Sequence, residues 1–253
     1  MKIGLALSGG GARGIMHLGV MKALQEQGFQ IERLSGTSAG AIAGALFAHG
    51  YSPDEALGII TQTNFFRYFR PSFSKMSFLS LEKIEELYLK HLPHDSFEAL
   101  KIPLTVCATD IQAGESVFFE SGRLIKPLMA SSCLPGIFEP IHYQKRLLVD
   151  GAVLNNMPIE PLLDKVEIVV GSNCNAYPLN KPLRSVANLL ERSLLLSVRN
   201  KTSDRLRQCR FTFEPPEVSR YDIFDVRKAR DIFKIGYEAV VRSKHNWEPL
   251  LSR

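Results

Sequence analysis

No apolar run in this chain reaches the ~18 residues needed to cross a bilayer, so no membrane-spanning helix is expected. Nor is there a Cys-x-x-Cys pair. Cys107, Cys133, Cys174 and Cys209 lie far apart, which fits reduced cytosolic thiols better than a disulfide framework or a zinc site. The short apolar stretch Met1 to Ser8 is followed by no small-residue cleavage site, and it reads as a first strand rather than a signal peptide. Internal repeats, low-complexity segments and linkers are missing as well. What is left is ordinary globular material: 253 residues, 45% hydrophobic and 23% charged, enough for one domain over 1–253 with a real core.

The charge is slightly one-sided. The net value is +5, and Arg184, Arg192, Arg199, Lys201, Arg205, Arg207 and Arg210 fall in one segment, with Lys228, Arg230, Lys234, Arg242 and Lys244 behind them. Such a balance favours anionic surfaces, phospholipid head groups or nucleic acid, or else marks only a solvated helix face, which fits better than a dedicated nucleic-acid site. No nucleic-acid motif accompanies it, so no nucleic-acid partner is expected.

The chain is organised around Gly36-Thr37-Ser38-Ala39-Gly40. Residues 29–34 before it can form a strand. Residues 39–49 after it read as a slim, alanine-rich helix ending at Gly50. A serine between strand and helix sits on a sharp, strained turn that thrusts its hydroxyl out. Gly36 and Gly40 have a steric reason to be there, because helix and strand pass too close for a Cβ.

Ahead of this turn, Lys2 to Leu7 reads as a buried strand, the glycine loop Ser8 to Gly14 follows, and Ile15 to Gln27 has helical spacing stopped by Gly28. Strand, loop, helix, strand, turn, helix argues for a mostly parallel sheet covered on both faces. Further on, Ser52-Pro53-Asp54-Glu55 is a helix start, with a helix over 53–61. The stretch 64–79 interleaves Phe65, Phe66, Tyr68, Phe69, Phe73 and Phe78 with Arg67, Arg70 and Lys75, which is either a mobile lid that meets lipid or a cap packed over the core. The pattern then predicts a helix over 81–91 capped by Ser80. It predicts strands over 103–109 and 116–120, a helix over 124–133, and a strand over 146–149 delivering Asp150-Gly151-Ala152. A last parallel strand is expected over 166–171, one long amphipathic helix over 186–207, an edge strand over 210–214 and a C-terminal helix over 229–245.

Two chemistries compete for the glycine loop. Gly9-x-Gly11-x-x-Gly14 with Glu32 further on matches a dinucleotide fingerprint. The same loop also offers aligned N–H groups at a helix start, which suits a developing oxyanion. The serine turn favours the second, since an acyl-transfer enzyme needs both an activated hydroxyl and an oxyanion hole. For the base, Ser38, Asp150 and His245 stand in the chain order of α/β-hydrolases. Only 37 residues precede Ser38, however, too few for that fold. Asp150, at a strand end where a parallel sheet presents its site, is the better candidate. The six histidines, His17, His49, His91, His94, His142 and His245, read as surface or helix residues.

Together Gly9-Gly10-Gly11-Ala12-Arg13-Gly14, Gly36-Thr37-Ser38-Ala39-Gly40 and Asp150-Gly151-Ala152 resemble the patatin-like phospholipases. Ala108-Thr109-Asp110, Ala130-Ser131 to Pro135 and Asn156-Met157-Pro158 look like the surroundings of those motifs. The resemblance covers about residues 3–165, and the chain looks like small stand-alone bacterial members related to neuropathy-target-esterase-type lysophospholipases; 166–253 would complete the same α/β unit. Ser8 stands where plant patatins often carry Asp. The resemblance implies a three-layer α/β/α fold with a mostly parallel central sheet, and a Ser38–Asp150 dyad without histidine. It implies an oxyanion loop of Gly9, Gly10, Gly11, Arg13 and Gly14, with elbow and turn residues Gly36, Gly40, Gly151 and Ala152. Neither metal nor cofactor is called for. The implied substrate is a lipid or other acyl ester, handled in the cytoplasm with peripheral contact to an anionic membrane. The alternative is a catalytically weak regulatory or acyl-binding protein on the same fold.

Overall fold

The computed structural model describes residues 1–63, 67–68, 70–71, 77–81, 83–176 and 182–245. In chain order these form β1 (Lys2–Leu7), a 3-10 turn (Gly11–Ile15), α1 (Met16–Glu26), β2 (Gln30–Thr37), α2 (Ala39–His49), α3 (Pro53–Gln62), β3 (Arg70–Pro71), β4 (Ser77–Ser80) and α4 (Ile84–His91). They continue with β5 (Leu104–Asp110), β6 (Glu115–Phe119), α5 (Ile125–Ser131), β7 (Gly136–Phe138), β8 (Ile141–Tyr143), β9 (Arg146–Asp150) and α6 (Glu160–Leu163). The last elements are β10 (Val169–Ser172), α7 (Val186–Ser197), α8 (Arg199–Gln208), β11 (Phe211–Phe213) and α9 (Ala229–Arg242).

The central sheet has the order β11-β10-β1-β2-β5-β9-β8, with β6 also on β5. The pairs from β11 to β5 are parallel, and β6, β9 and β8 join antiparallel. Alternation along β1 shows how it is sandwiched. Ile3, Leu5 and Leu7 enter the main core with α1 and α2 residues, whereas Ala6 joins Met157, Ile159, Leu162 and Val169 in a smaller cluster on the other face. A second, three-stranded sheet, β3-β4-β7, lies apart from this one.

Several expectations need correction. The helix expected over 186–207 is two helices broken at Val198. The change of character explains the break: α7 is leucine-rich, whereas α8 is polar and turns to set Arg205 Nε 2.7 Å from Glu160 Oε1. Ser80 caps no helix; it ends β4, paired with Arg70 of β3, and α4 begins only at Ile84. The strand expected over 166–171 is shorter and later, because Val166 turns its methyls toward Gly4 on the face of β1 before β10 begins. Most of the aromatic stretch 64–79 lies outside the described residues. The capping box at Ser52 and Glu55 forms in full.

Candidate active site

Ser38 occupies the turn between β2 and α2 with φ 53° and ψ −123°. A side chain in that region carries strain of order 1–3 kcal/mol, held by its surroundings. The holding contacts are specific. Ser131 Oγ accepts from the Ser38 N–H at 2.7 Å and donates to Cys107 O at 2.6 Å. Neither glycine of the turn has room for a side chain: a Cβ on Gly36 would stand 2.6 Å from Ala41 N, and one on Gly40 2.6 Å from Ser8 O.

Asp150 arrives by a route that alternation of strands and helices does not suggest. The strand β9 is antiparallel to β5, not part of the parallel run. The register shows the consequence. One edge of β5 is taken by β6 from Val106 to Asp110. The other edge must therefore hold both β2, which pairs up to Thr37↔Cys107, and β9, which starts at Asp110↔Leu148 and descends to Ala108↔Asp150. A strand has only two edges, so β2 and β9 run toward each other along one of them and meet between Cys107 and Ala108. Ser38 follows directly on one end and Asp150 closes the other. Gly151 sits in the junction, where a Cβ would be 2.5 Å from Cys107 O and 3.0 Å from Thr37 Cγ2.

The carboxyl of Asp150 is buried, 5% exposed. Its Oδ1 accepts from the Ala152 N–H at 2.9 Å, and its own N–H donates to Cys133 O at 2.9 Å. Burial raises its pKa from 3.8 to about 7, against the opposing pull of the Ala152 N–H and the Ser38 hydroxyl. Desolvation thus turns an ordinarily feeble base into one poised near neutrality.

The glycine loop runs past the serine, close enough that a Cβ on Gly9 would be 3.1 Å from Ser38 Cβ. Two asparagines clamp the Gly9 peptide units. Asn156 Oδ1 accepts from the Gly9 N–H at 3.1 Å, and Asn175 Nδ2 donates to Gly9 O at 2.6 Å. The Gly9 N–H is therefore engaged by Asn156. Among the described residues the N–H groups of Gly10 and Gly11 make no hydrogen bond, and Gly11 has φ +56°. Gly14 supplies closeness instead, since a Cβ there would stand 2.6 Å from Ala39 Cβ. Arg13, 3% exposed, donates its N–H to Gly10 O at 3.2 Å and ion-pairs with Glu191 of α7. It braces the loop from behind.

None of the six histidines lines the cavity over Ser38, and His17, the buried one, is fully engaged elsewhere. His17 is fully buried on α1. Its Nε2 lies 2.9 Å from Ser8 O and its Nδ1 2.8 Å from Ser172 Oγ. A carbonyl only accepts, so Nε2 carries the proton and Nδ1 takes the Ser172 hydroxyl. Both nitrogens are spent on holding the start of the loop, and burial lowers the pKa to about 4. No histidine is among the described residues lining the cavity over Ser38. Glu32, the acid of the dinucleotide fingerprint, is tied to Lys2 at 2.7 Å in the first half of β2, away from the glycine loop at the far end of β1.

That cavity measures about 260 Å³ and holds Ser38, Asp150, Gly10 and Gly11 beneath walls of Ile42, Ile60, Ile84, Phe138, Leu194 and Phe224. It is an apolar chamber with its polar groups gathered at one place. Sequence reasoning gave no roles to Ser131, Asn156, Asn175, His17 or Glu191. Ser131 and Asn156 stand inside stretches already marked by the resemblance. Asn175 and Glu191, beyond residue 165, carry no motif that points to them.

The fold places the chain among α/β proteins whose mostly parallel sheet presents a serine turn directly after its second strand. It belongs to the patatin-like phospholipase family, whose model matches residues 5–163. An uncharacterized NTE family protein of Mycobacterium tuberculosis is 38% identical over 163 residues, 64% of this chain and 45% of that protein. Lysophospholipase NTE1 of Mycosarcoma maydis is 29% identical over 169 residues, 64% of this chain and 9% of that protein. The chain thus spans less than half the length of these curated relatives. Among solved structures, VipD from Legionella pneumophila shares the fold with a TM-score of 0.60 at 15% identity, over 95% of this chain and 66% of that one. No helix among the described residues is long and apolar enough to cross a membrane.

Proposed function

We propose that this protein is a serine acyl-ester hydrolase acting on lipids, a phospholipase or lysophospholipase, with Ser38 as nucleophile and Asp150 as its base. The observation that carries the reading is the head-on meeting of β2 and β9 along one edge of β5, which brings a strained serine beside a buried carboxylate with no histidine among the described residues lining the cavity. Ser38 Oγ attacks the ester carbonyl as Asp150 takes its proton. The Gly10 and Gly11 N–H groups receive the oxyanion, a type of contact worth roughly 2.7–4 kcal/mol of barrier per donor. Collapse breaks the ester bond, and Asp150 returns the proton to the leaving alkoxide. A water, deprotonated by Asp150, then attacks the acyl carbonyl, and collapse breaks the Ser38 Oγ–acyl bond, releasing the fatty acid as Asp150 returns that proton to Ser38 Oγ. The apolar walls receive the acyl chain. Residues 166–253 complete the same unit in this reading, since β10 pairs directly with β1. The name of the fungal relative, a lysophospholipase, supports a lipid substrate.

The test is turnover of 4-nitrophenyl esters of increasing chain length, and of lysophosphatidylcholine and phosphatidylcholine, by the wild type and Ser38→Ala. Hydrolysis by the wild type that vanishes in a folded Ser38→Ala supports the reading. Hydrolysis that survives in the variant overturns it.

A further inference from the structure

The outer face of α7 is built the wrong way round for a helix in water. Val186, Leu189 and Leu196 are exposed by 66%, 52% and 52%. At 3.6 residues per turn they fall within about 80° of arc, a single stripe. Leu183, just before the helix, is 46% exposed. The inner face of the same helix sends Glu191, Leu194 and Leu195 into the cavity wall. So α7 is apolar on both sides, with the cavity beneath and solvent above. Its flanks continue the pattern. Leu190 lies against Gly136 of β7, whose partner strand β4 carries Phe78 at 73% exposure. On the other side Asn188 Nδ2 donates to Asp222 Oδ2 at 3.0 Å, next to Phe224, which is 41% exposed and also lines the cavity.

We propose that this face, centred on α7, is a docking surface for an anionic phospholipid membrane. Charge selects that occupant. From 182 to 203 the chain carries Arg184, Arg192, Arg199 and Lys201 against one carboxylate, Glu191, and that carboxylate turns inward to Arg13. The stripe is flanked by exposed cations, Arg184 before it and Arg199 and Lys201 on α8 after it, and the Asp222 carboxylate beside it is taken up by Asn188. An apolar stripe on a helix so flanked matches the interface of an anionic bilayer, where the helix lies flat and basic side chains meet head groups. A second copy of this chain fits worse, because a two-fold pairing of the stripe would set the same cations against themselves. The lipid reading of the cavity explains why such a surface belongs here, but docking itself is measurable without hydrolysis.

The experiment uses the full chain as Ser38→Ala, so that no lipid is consumed, and co-sedimentation with vesicles of phosphatidylcholine alone or containing phosphatidylglycerol. The protein binds the anionic vesicles, more weakly as salt rises. Val186→Ser/Leu189→Ser/Leu196→Ser weakens binding by at least about tenfold, the order given by losing apolar burial at three side chains. Arg184→Gln/Lys201→Gln, on the surface and harmless to folding, weakens it as well. Failure of Ser38→Ala to bind anionic vesicles overturns the proposal, as does undiminished binding by both multiple variants. A dimer in sedimentation velocity that the triple serine variant splits, without vesicle binding, overturns it in favour of a subunit interface. Absence of ester turnover in the wild type leaves the vesicle result standing, so the two readings fail separately.

Discussion

Replacing Asp150 by Asn should make the protein more stable, and by an amount that depends on pH in a defined way. In the folded chain the carboxyl has a pKa of about 7, against an ordinary 3.8. Folded protein therefore holds a proton that the unfolded chain has released between those two values, and stability falls as pH rises across that window. The gap corresponds to about 4 kcal/mol in all, of which about 2–3 kcal/mol lies between pH 5 and pH 8. Above pH 7 both states are ionised and the loss levels off. Asparagine has the same shape, keeps an acceptor for the Ala152 N–H, and has no charge to desolvate. The wild-type curve alone would mislead. His17, with its pKa lowered to about 4, takes up protons on unfolding between pH 4 and 6.5, so its contribution rises with pH and opposes that of Asp150. The difference between Asp150→Asn and the wild type removes the histidine term. Urea denaturation at intervals from pH 5 to 8 should show that difference growing in favour of the variant and reaching a plateau above pH 7. A difference that stays constant over this range would refute the claim that Asp150 is held protonated by burial.

Two other substitutions probe the frame around Ser38 and Asp150. Ser131→Ala leaves the Ser38 N–H and Cys107 O without their partner, so it should lower stability by roughly 1–3 kcal/mol, and ester turnover assays should show kcat falling more than KM rises. Gly151→Ala places a Cβ 2.5 Å from Cys107 O of β5, which pries the end of β9 from β5; thermal melts followed by circular dichroism should show destabilisation of at least about 1–3 kcal/mol.

Local signals carried much of this site. The serine turn, the glycine loop and the Asp-Gly-Ala turn are each written in a few adjacent residues whose steric needs can be read one at a time. The capping box at Ser52 was legible for the same reason. Sheet direction was not. Nothing within residues 146–150 says that β9 runs antiparallel, because that is decided by pairing with β5, some forty residues earlier. From sequence Asp150 reads as a strand end where a parallel sheet presents its site; the structure keeps the strand end but brings it in antiparallel. The break at Val198 was harder to read, because no glycine or proline marks it; the leucine-rich α7 gives way there to the polar α8, which reaches Glu160 through Arg205. The engagement of the Gly9 N–H was equally hidden, since Asn156 is distant in sequence. His17 read as an ordinary helix residue; its burial against Ser8 and Ser172 follows from the packing of α1 on β1 and β10.

The central claim is that Asp150, and no histidine, takes the proton from Ser38. It is tested most directly by measuring ester turnover in Asp150→Asn beside six single variants, His17, His49, His91, His94, His142 and His245 each replaced by Gln, with His17→Gln assayed below its lowered melting temperature. The account predicts that Asp150→Asn is as inactive as Ser38→Ala while every histidine variant still turns over substrate, and that Asp150→Asn combined with Ser38→Ala loses no more than either alone. One histidine variant that is folded and as inactive as Ser38→Ala would contradict it.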